Sequence, residues 1–140
     1  IDPDDAFACE LVGRYGIEDM VTFTGHIDNE ELVRRYSASE IAVTPSIYEG
    51  FGLPPAEAMS CEVPVVATTA GALPEVIGDG ETGILVPPAD EVALAAAIKR
   101  LLGDEDLRLR MGKNGRERVE RLFNWESTAK RVVEVYQEVI

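Results

Sequence analysis

Along the chain, short apolar runs rich in β-branched residues alternate with stretches whose apolar positions recur at helical spacing. Four runs predict strands: Val21 to Thr24, Ile41 to Thr44, Val65 to Thr68 and Ile84 to Val86. Unbroken short apolar runs closed by Gly, Pro or Ser are the mark of strands covered on both faces. Helical spacing covers Asp4 to Tyr15, with Gly16 where a C-terminal cap belongs, and Asn29 to Ser37. Pro54 and Pro55 suit the first turn of a helix running to about Ser60, and Pro74 begins another. Asp90 is placed to cap a helix through Leu102, Asp104 to open one through about Glu120, and Asn124 to cap a long amphipathic helix ending near Ile140. Strands alternating with helices predict an α/β fold: a Rossmann-like parallel sheet with flanking helices and long C-terminal helices.

The chain has 140 residues, the size of a single domain, and 46% of them are hydrophobic. No apolar run approaches the roughly 20 residues needed to cross a bilayer, so neither a membrane segment nor a signal peptide is read. Cys9 and Cys61 stand far apart with no metal-type spacing, which predicts a reduced, cytoplasmic protein without a disulfide framework. The formal charge of −13 argues against nucleic acid as a partner.

Chemistry concentrates between Thr44 and Met59, at the C-terminal end of a strand and the start of a helix, where open parallel sheets bind ligands. Gly50 and Gly52 allow the loop to present N–H groups, and the positive end of the following helix favours an anion. Glu49 and Glu57 bracket the loop so that both can face one crevice. An ionised carboxylate binds phosphate poorly but accepts two hydrogen bonds from a vicinal diol. A ligand with hydroxyls at its ends and anionic charge in its middle fits: a nucleotide-sugar. From Tyr36 to Ile98 there is no Lys, Arg or His, so a departing diphosphate must find its cations elsewhere.

The runs Glu49-Gly50-Phe51-Gly52-Leu53-Pro54-Pro55-Ala56-Glu57-Ala58-Met59, Pro64-Val65-Val66-Ala67, Gly71-Ala72-Leu73-Pro74-Glu75-Val76 and Thr82-Gly83-Ile84-Leu85-Val86-Pro87-Pro88 together resemble glycosyltransferase family 4, the group 1 glycosyl transferases of GT-B fold. The resemblance runs from about Val21 to the C-terminal helix. It implies one donor-binding domain of a hexosyltransferase-type enzyme with two facing Rossmann-like domains, which transfers a sugar with retention from a nucleotide-diphosphate sugar to an acceptor hydroxyl. No metal or other cofactor is implied. Glu49, the residue nearest catalysis, would contact hydroxyls of the transferred sugar, and Glu57 would hold the ribose. Gly50, Phe51, Gly52 and Leu53 would line the donor, Ser46 would lie near it, and Ile27 in the Gly25-His26-Ile27 turn would lie against the base. No protein nucleophile is required, because the departing diphosphate assists the incoming hydroxyl from the same face, and catalysis is mostly positioning and charge stabilisation.

The family's donor domain opens with two strand–helix units that carry a glycine turn and an Arg and a Lys on the diphosphate, and this sequence shows no counterpart. The expectation is therefore a partial domain, inactive alone, whose partners are the donor, an unidentified acceptor and the N-terminal domain of a parent enzyme that touches membranes only peripherally. Its Ile41–Thr44 strand, bared at one edge, would pair with a second copy. The competing reading is a non-catalytic nucleotide-binding or assembly module derived from such an enzyme; a nucleotide-sugar epimerase fits the loop less well. Among single residues, His26 reads as a turn residue, Glu75 as a first-turn acid with a second role ordering the Thr68 to Gly71 loop, Cys61 as a small core residue, and Trp125 as an anchor packing the last helix.

Overall fold

The computed structural model describes residues 5–139. Asp5 accepts hydrogen bonds from the N–H groups of Phe7 and Ala8, both at 3.0 Å, and starts helix α1 (Ala6–Tyr15). Asp4, where the sequence pattern starts the helix, lies outside the described residues. Gly16 ends α1 in the left-handed conformation expected of it, φ +61°, with its N–H turned back on the helix carbonyls. A 3₁₀ turn at Glu18–Met20 follows. The first of two compact units ends at Arg34 and the second begins at Arg35.

The strand expected at Val21–Thr24 does not form. Val21 has extended backbone, φ −116° and ψ 129°, and half-buried and exposed residues alternate one by one to Ile27, as in a strand. A strand exists only through its ladder, however, and no described strand pairs with this run. Asp28 then caps helix α2 (Asn29–Ser37), its carboxylate accepting from Glu31 N–H at 2.8 Å, and α2 carries the chain into the second unit.

The second unit holds a parallel sheet of β1 (Ala42–Thr44), β2 (Val65–Thr68) and β3 (Gly83–Val86), in that spatial order. Val65 of the central strand lies opposite Ala42 on one side and Gly83 on the other. Every residue of β2 is buried, as its unbroken apolar sequence implies. Val65 and Ala67 join a cluster with Met59 of α3 (Leu53–Ser60) and Leu73 and Val76 of α4 (Leu73–Val76). Val66 joins another with Ala97 and Leu101 of α5 (Glu91–Leu102) and Leu107 and Met111 of α6 (Glu105–Leu122). Burying each Val, Leu or Met side chain of these clusters contributes roughly 1.5–3 kcal/mol. The two clusters are the two covered faces of the sheet.

Helix boundaries follow their caps. The Asp90 carboxylate accepts from Ala93 N–H at 2.8 Å and that of Asp104 from Leu107 N–H at 2.9 Å. Asn124 accepts from Ser127 N–H at 2.7 Å ahead of α7 (Trp125–Val139); Ile140 lies outside the described residues. Glycines set how closely α6 approaches α3: a Cβ on Gly112 would stand 1.9 Å from the Glu62 carbonyl oxygen, and one on Gly115 3.1 Å from Met59 Cγ. Arg118 of α6 fastens the end of α4, donating to the Glu75 and Val76 carbonyls, each at 2.8 Å. Helix α7 has no buried residue. Trp125 accordingly does not pack as an anchor but is 89% exposed.

Candidate functional site

The loop from Pro45 to Gly52 leaves the C-terminal end of β1 and enters α3, the position that parallel sheets offer to ligands. It is fastened by Thr68, the last residue of β2, and by the segment that follows. Buried Thr68 donates its hydroxyl hydrogen to the Ser46 carbonyl at 2.5 Å, and Ala72 N–H donates to the Glu49 carbonyl at 3.3 Å. Between them Gly71, at φ +52°, runs so close that a Cβ there would stand 1.9 Å from the Glu49 oxygen. Ser46 in turn donates its hydroxyl to Glu49 Oε2 at 3.3 Å, so the half-buried carboxylate has a defined direction. Ordering of Thr68–Gly71 thus comes from Thr68 and Gly71 themselves, while Glu75 keeps an exposed side chain and offers its carbonyl to Arg118.

Gly52 caps α3 at φ +95°, buried against Leu73 and Pro55, where a side chain would be both strained and crowded. Gly50 meets no such limit, since a Cβ there would have nothing within 4 Å. Pro54 and Pro55 carry no N–H, and Ala56 N–H already donates to the Gly52 carbonyl at 3.2 Å. The N–H groups of Phe51, Gly52 and Leu53 have no acceptor among the described residues. Three free donors at the positive end of a helix can hold an anion.

Glu57 projects from α3 into a cleft of about 630 Å³, exposed to solvent and lined also by Phe51, Leu53, Phe123, Trp125 and Arg131. Phe51 meets Phe123 edge to face, ring centres 5.7 Å apart. The cleft does not extend to Ser46 or Glu49, so the two carboxylates front different parts of the same segment. Arg131 comes from α7, an element the linear sequence gave no reason to place beside Glu57. Tyr36, half-buried, packs its ring against the core cluster and lies near enough to Glu57 to feel its charge, a proximity missed by the sequence reading. Burial first, then the negative charge of Glu57, pushes the Tyr36 hydroxyl above its ordinary value.

Ile27, half-buried, and His26, exposed, lie in the first unit on the extended run. Cys61 packs against the core, as expected of a small apolar residue. Among the described residues no group of three or more His, Cys, Asp or Glu is arranged to hold a metal ion, and no helix is long and apolar enough to cross a membrane.

Residues 2–118 match the family model for glycosyl transferases group 1. The chain is 45% identical over 132 residues to an MMP α-(1→4)-mannosyltransferase of Mycolicibacterium hassiacum, covering 94% of this chain and 32% of that one. Among solved structures, a sucrose-phosphate synthase from Thermosynechococcus elongatus superposes with a TM-score of 0.87 at 48% identity, over 94% of this chain and 33% of that one. Alr3699/HepE of Anabaena, solved in complex with UDP-glucose, superposes with a TM-score of 0.82 at 25% identity, over 97% of this chain and 38% of that one. The chain spans about a third of the length of the curated relatives it matches.

Proposed function

Because the chain belongs to the group 1 glycosyltransferase family, we propose that it is the donor-binding part of a retaining glycosyltransferase, its two units being parts of one nucleotide-sugar-binding domain. The observation that carries this reading is the union, in one loop and helix start, of three unpaired N–H groups with carboxylates at either end. Glu49, aimed by Ser46, accepts hydroxyls of the transferred sugar. Glu57 accepts the ribose diol, and the N–H groups of Phe51, Gly52 and Leu53 face the diphosphate, whose charge grows as the sugar departs. The incoming acceptor hydroxyl loses its proton to the departing diphosphate on the same face, so that positioning carries most of the rate enhancement. The reading calls on no metal, and it places Ile27 against the base. The relative crystallised with UDP-glucose supports a nucleotide-sugar as ligand.

Acceptor recognition belongs to a second, N-terminal domain, and the larger enzyme is cytoplasmic with peripheral membrane contact. The outer edge of β1, which pairs only with β2 among the described strands, is where a further strand or a second copy adds.

Glu57→Ala is the test. Calorimetric titration with UDP, GDP and ADP should show one of them binding, and the variant should bind it about 10- to 100-fold more weakly, the loss of charge-assisted hydrogen bonds. An unchanged affinity would remove Glu57 from the site and with it the ribose assignment.

A further inference from the structure

Two opposite charges line the cleft at α3 and are not paired. Glu57 is exposed and forms no ion pair among the described residues. Arg131 of α7, the one cation among the described residues that line the cleft, is exposed and forms none either. The neighbouring cation on α7 differs: Lys130 pairs with Glu126 at 3.2 Å and does not line this cleft. A carboxylate and a guanidinium that share a cleft beyond ion-pair distance leave both open to a ligand, the one accepting from hydroxyls, the other donating to an anion. A cation matters here because the segment from Tyr36 to Ile98, which holds the whole loop entering α3, contains no Lys, Arg or His. A phosphate held at this loop by N–H groups alone would lie beside carboxylates in a chain of net charge −13.

We propose that Arg131 is a ligand-binding residue for the phosphate groups of the nucleotide whose ribose Glu57 takes. This deepens the donor-binding reading above and rests on it. A guanidinium presents a planar fork of N–H donors that meets two phosphate oxygens at once, and it stays charged at any working pH. It adds to the N–H groups of Phe51, Gly52 and Leu53 the cation that the loop itself lacks. The occupant is accordingly a nucleoside diphosphate, with hydroxyls for Glu57 and negative charge for Arg131. Helix α7, which buries no residue, thereby acquires a part in binding: it delivers one positive charge to the cleft.

Because Arg131 is exposed on a helix without buried residues, Arg131→Gln removes the charge without opening the core and should keep the parent's thermal midpoint. The test is calorimetry of the full chain with UDP, GDP and ADP. Whichever nucleotide the unmodified chain takes should bind Arg131→Gln about 10- to 100-fold more weakly, and Arg131→Lys should recover part of the loss. Lys130→Gln removes the same charge one residue away, outside the cleft, and should bind as the parent does. Undiminished affinity in Arg131→Gln, or an equal loss in Lys130→Gln, would overturn the proposal, the second by showing that the general field and not a contact holds the phosphate. The donor-binding reading would then stand on Glu57 and the N–H groups. Failure of the unmodified chain to bind any of the three nucleotides would instead sink that reading, and this one with it.

Discussion

Replacing Gly71 by alanine is expected to cost about 3 kcal/mol of folding stability and to release the loop that carries Glu49. Two costs add at this position. The left-handed backbone, φ +52°, disfavours any residue with a Cβ by about 1–2 kcal/mol. The new methyl would also stand 1.9 Å from the Glu49 carbonyl oxygen, a backbone atom that no rotamer change can move, and overpacking of that kind costs about 1–3 kcal/mol. Relief requires the 69–72 and 46–49 segments to part, which breaks the Ala72 N–H to Glu49 bond and strains that from Thr68 to Ser46. Urea denaturation checks the energy. Gly50→Ala serves as the control, since its Cβ meets nothing within 4 Å and should leave stability near that of the parent. If Gly71→Ala unfolds at the parent's urea midpoint, the lock between the two loops is not there.

The second large effect is Gly112→Ala, where two terms oppose one another. In a helix interior alanine is preferred to glycine by about 1 kcal/mol, and α6 would gain that much. Against this, the methyl would meet the Glu62 carbonyl oxygen at 1.9 Å. Glu62 itself sits at φ +61°, just past the end of α3, and has little freedom to withdraw. Overpacking against backbone, about 3 kcal/mol, outweighs the propensity gain, leaving a net loss of about 2 kcal/mol. The thermal midpoint should fall by about 8 °C for a chain of this size. A midpoint raised by the substitution would show that propensity wins and that α6 stands further from α3. At Gly13 of α1, where the nearest atom would be 3.6 Å away, the same exchange should show the propensity gain alone.

What the sequence made legible divides along a physical line. The strands at Val65–Thr68 and Gly83–Val86 could be read because burial between helices demands unbroken apolar runs, whereas Ala42–Thr44, an edge strand whose Val43 is 41% exposed, could be read because a turn residue closes its short apolar run. The caps at Asp90, Asp104 and Asn124 could be read because an N-cap is settled within three residues of itself. Val21–Thr24 looked the same from within, yet a ladder needs a partner, and its apolar residues could not report one. Trp125 likewise carried an apolar signal without an address, and it stands in solvent at the Glu57 cleft.

In the candidate site, the segment from Ser46 to Glu57 was legible because glycines, paired prolines and two carboxylates sit in one stretch of chain. Its supports were not. Thr68 reaches Ser46 across 22 residues of sequence, and Arg131 lines the Glu57 cleft from the last helix. No spacing rule links such positions. Only Gly71 left a local trace, as the glycine in a run of small residues from Thr68 to Ala72, a composition that permits close backbone approach.

The central claim is that the loop entering α3 binds a nucleotide-sugar, and the most direct measurement is amide chemical-shift mapping of the full chain during titration with UDP, GDP, ADP and their glucose and mannose conjugates. The expected result is saturable shifts at Gly50, Phe51, Gly52, Leu53 and Glu57 for one base. Shifts confined to another surface, such as the polar hollow lined by Glu81, Asn114 and Arg121, or no shift with any of these ligands at millimolar concentration, would contradict it.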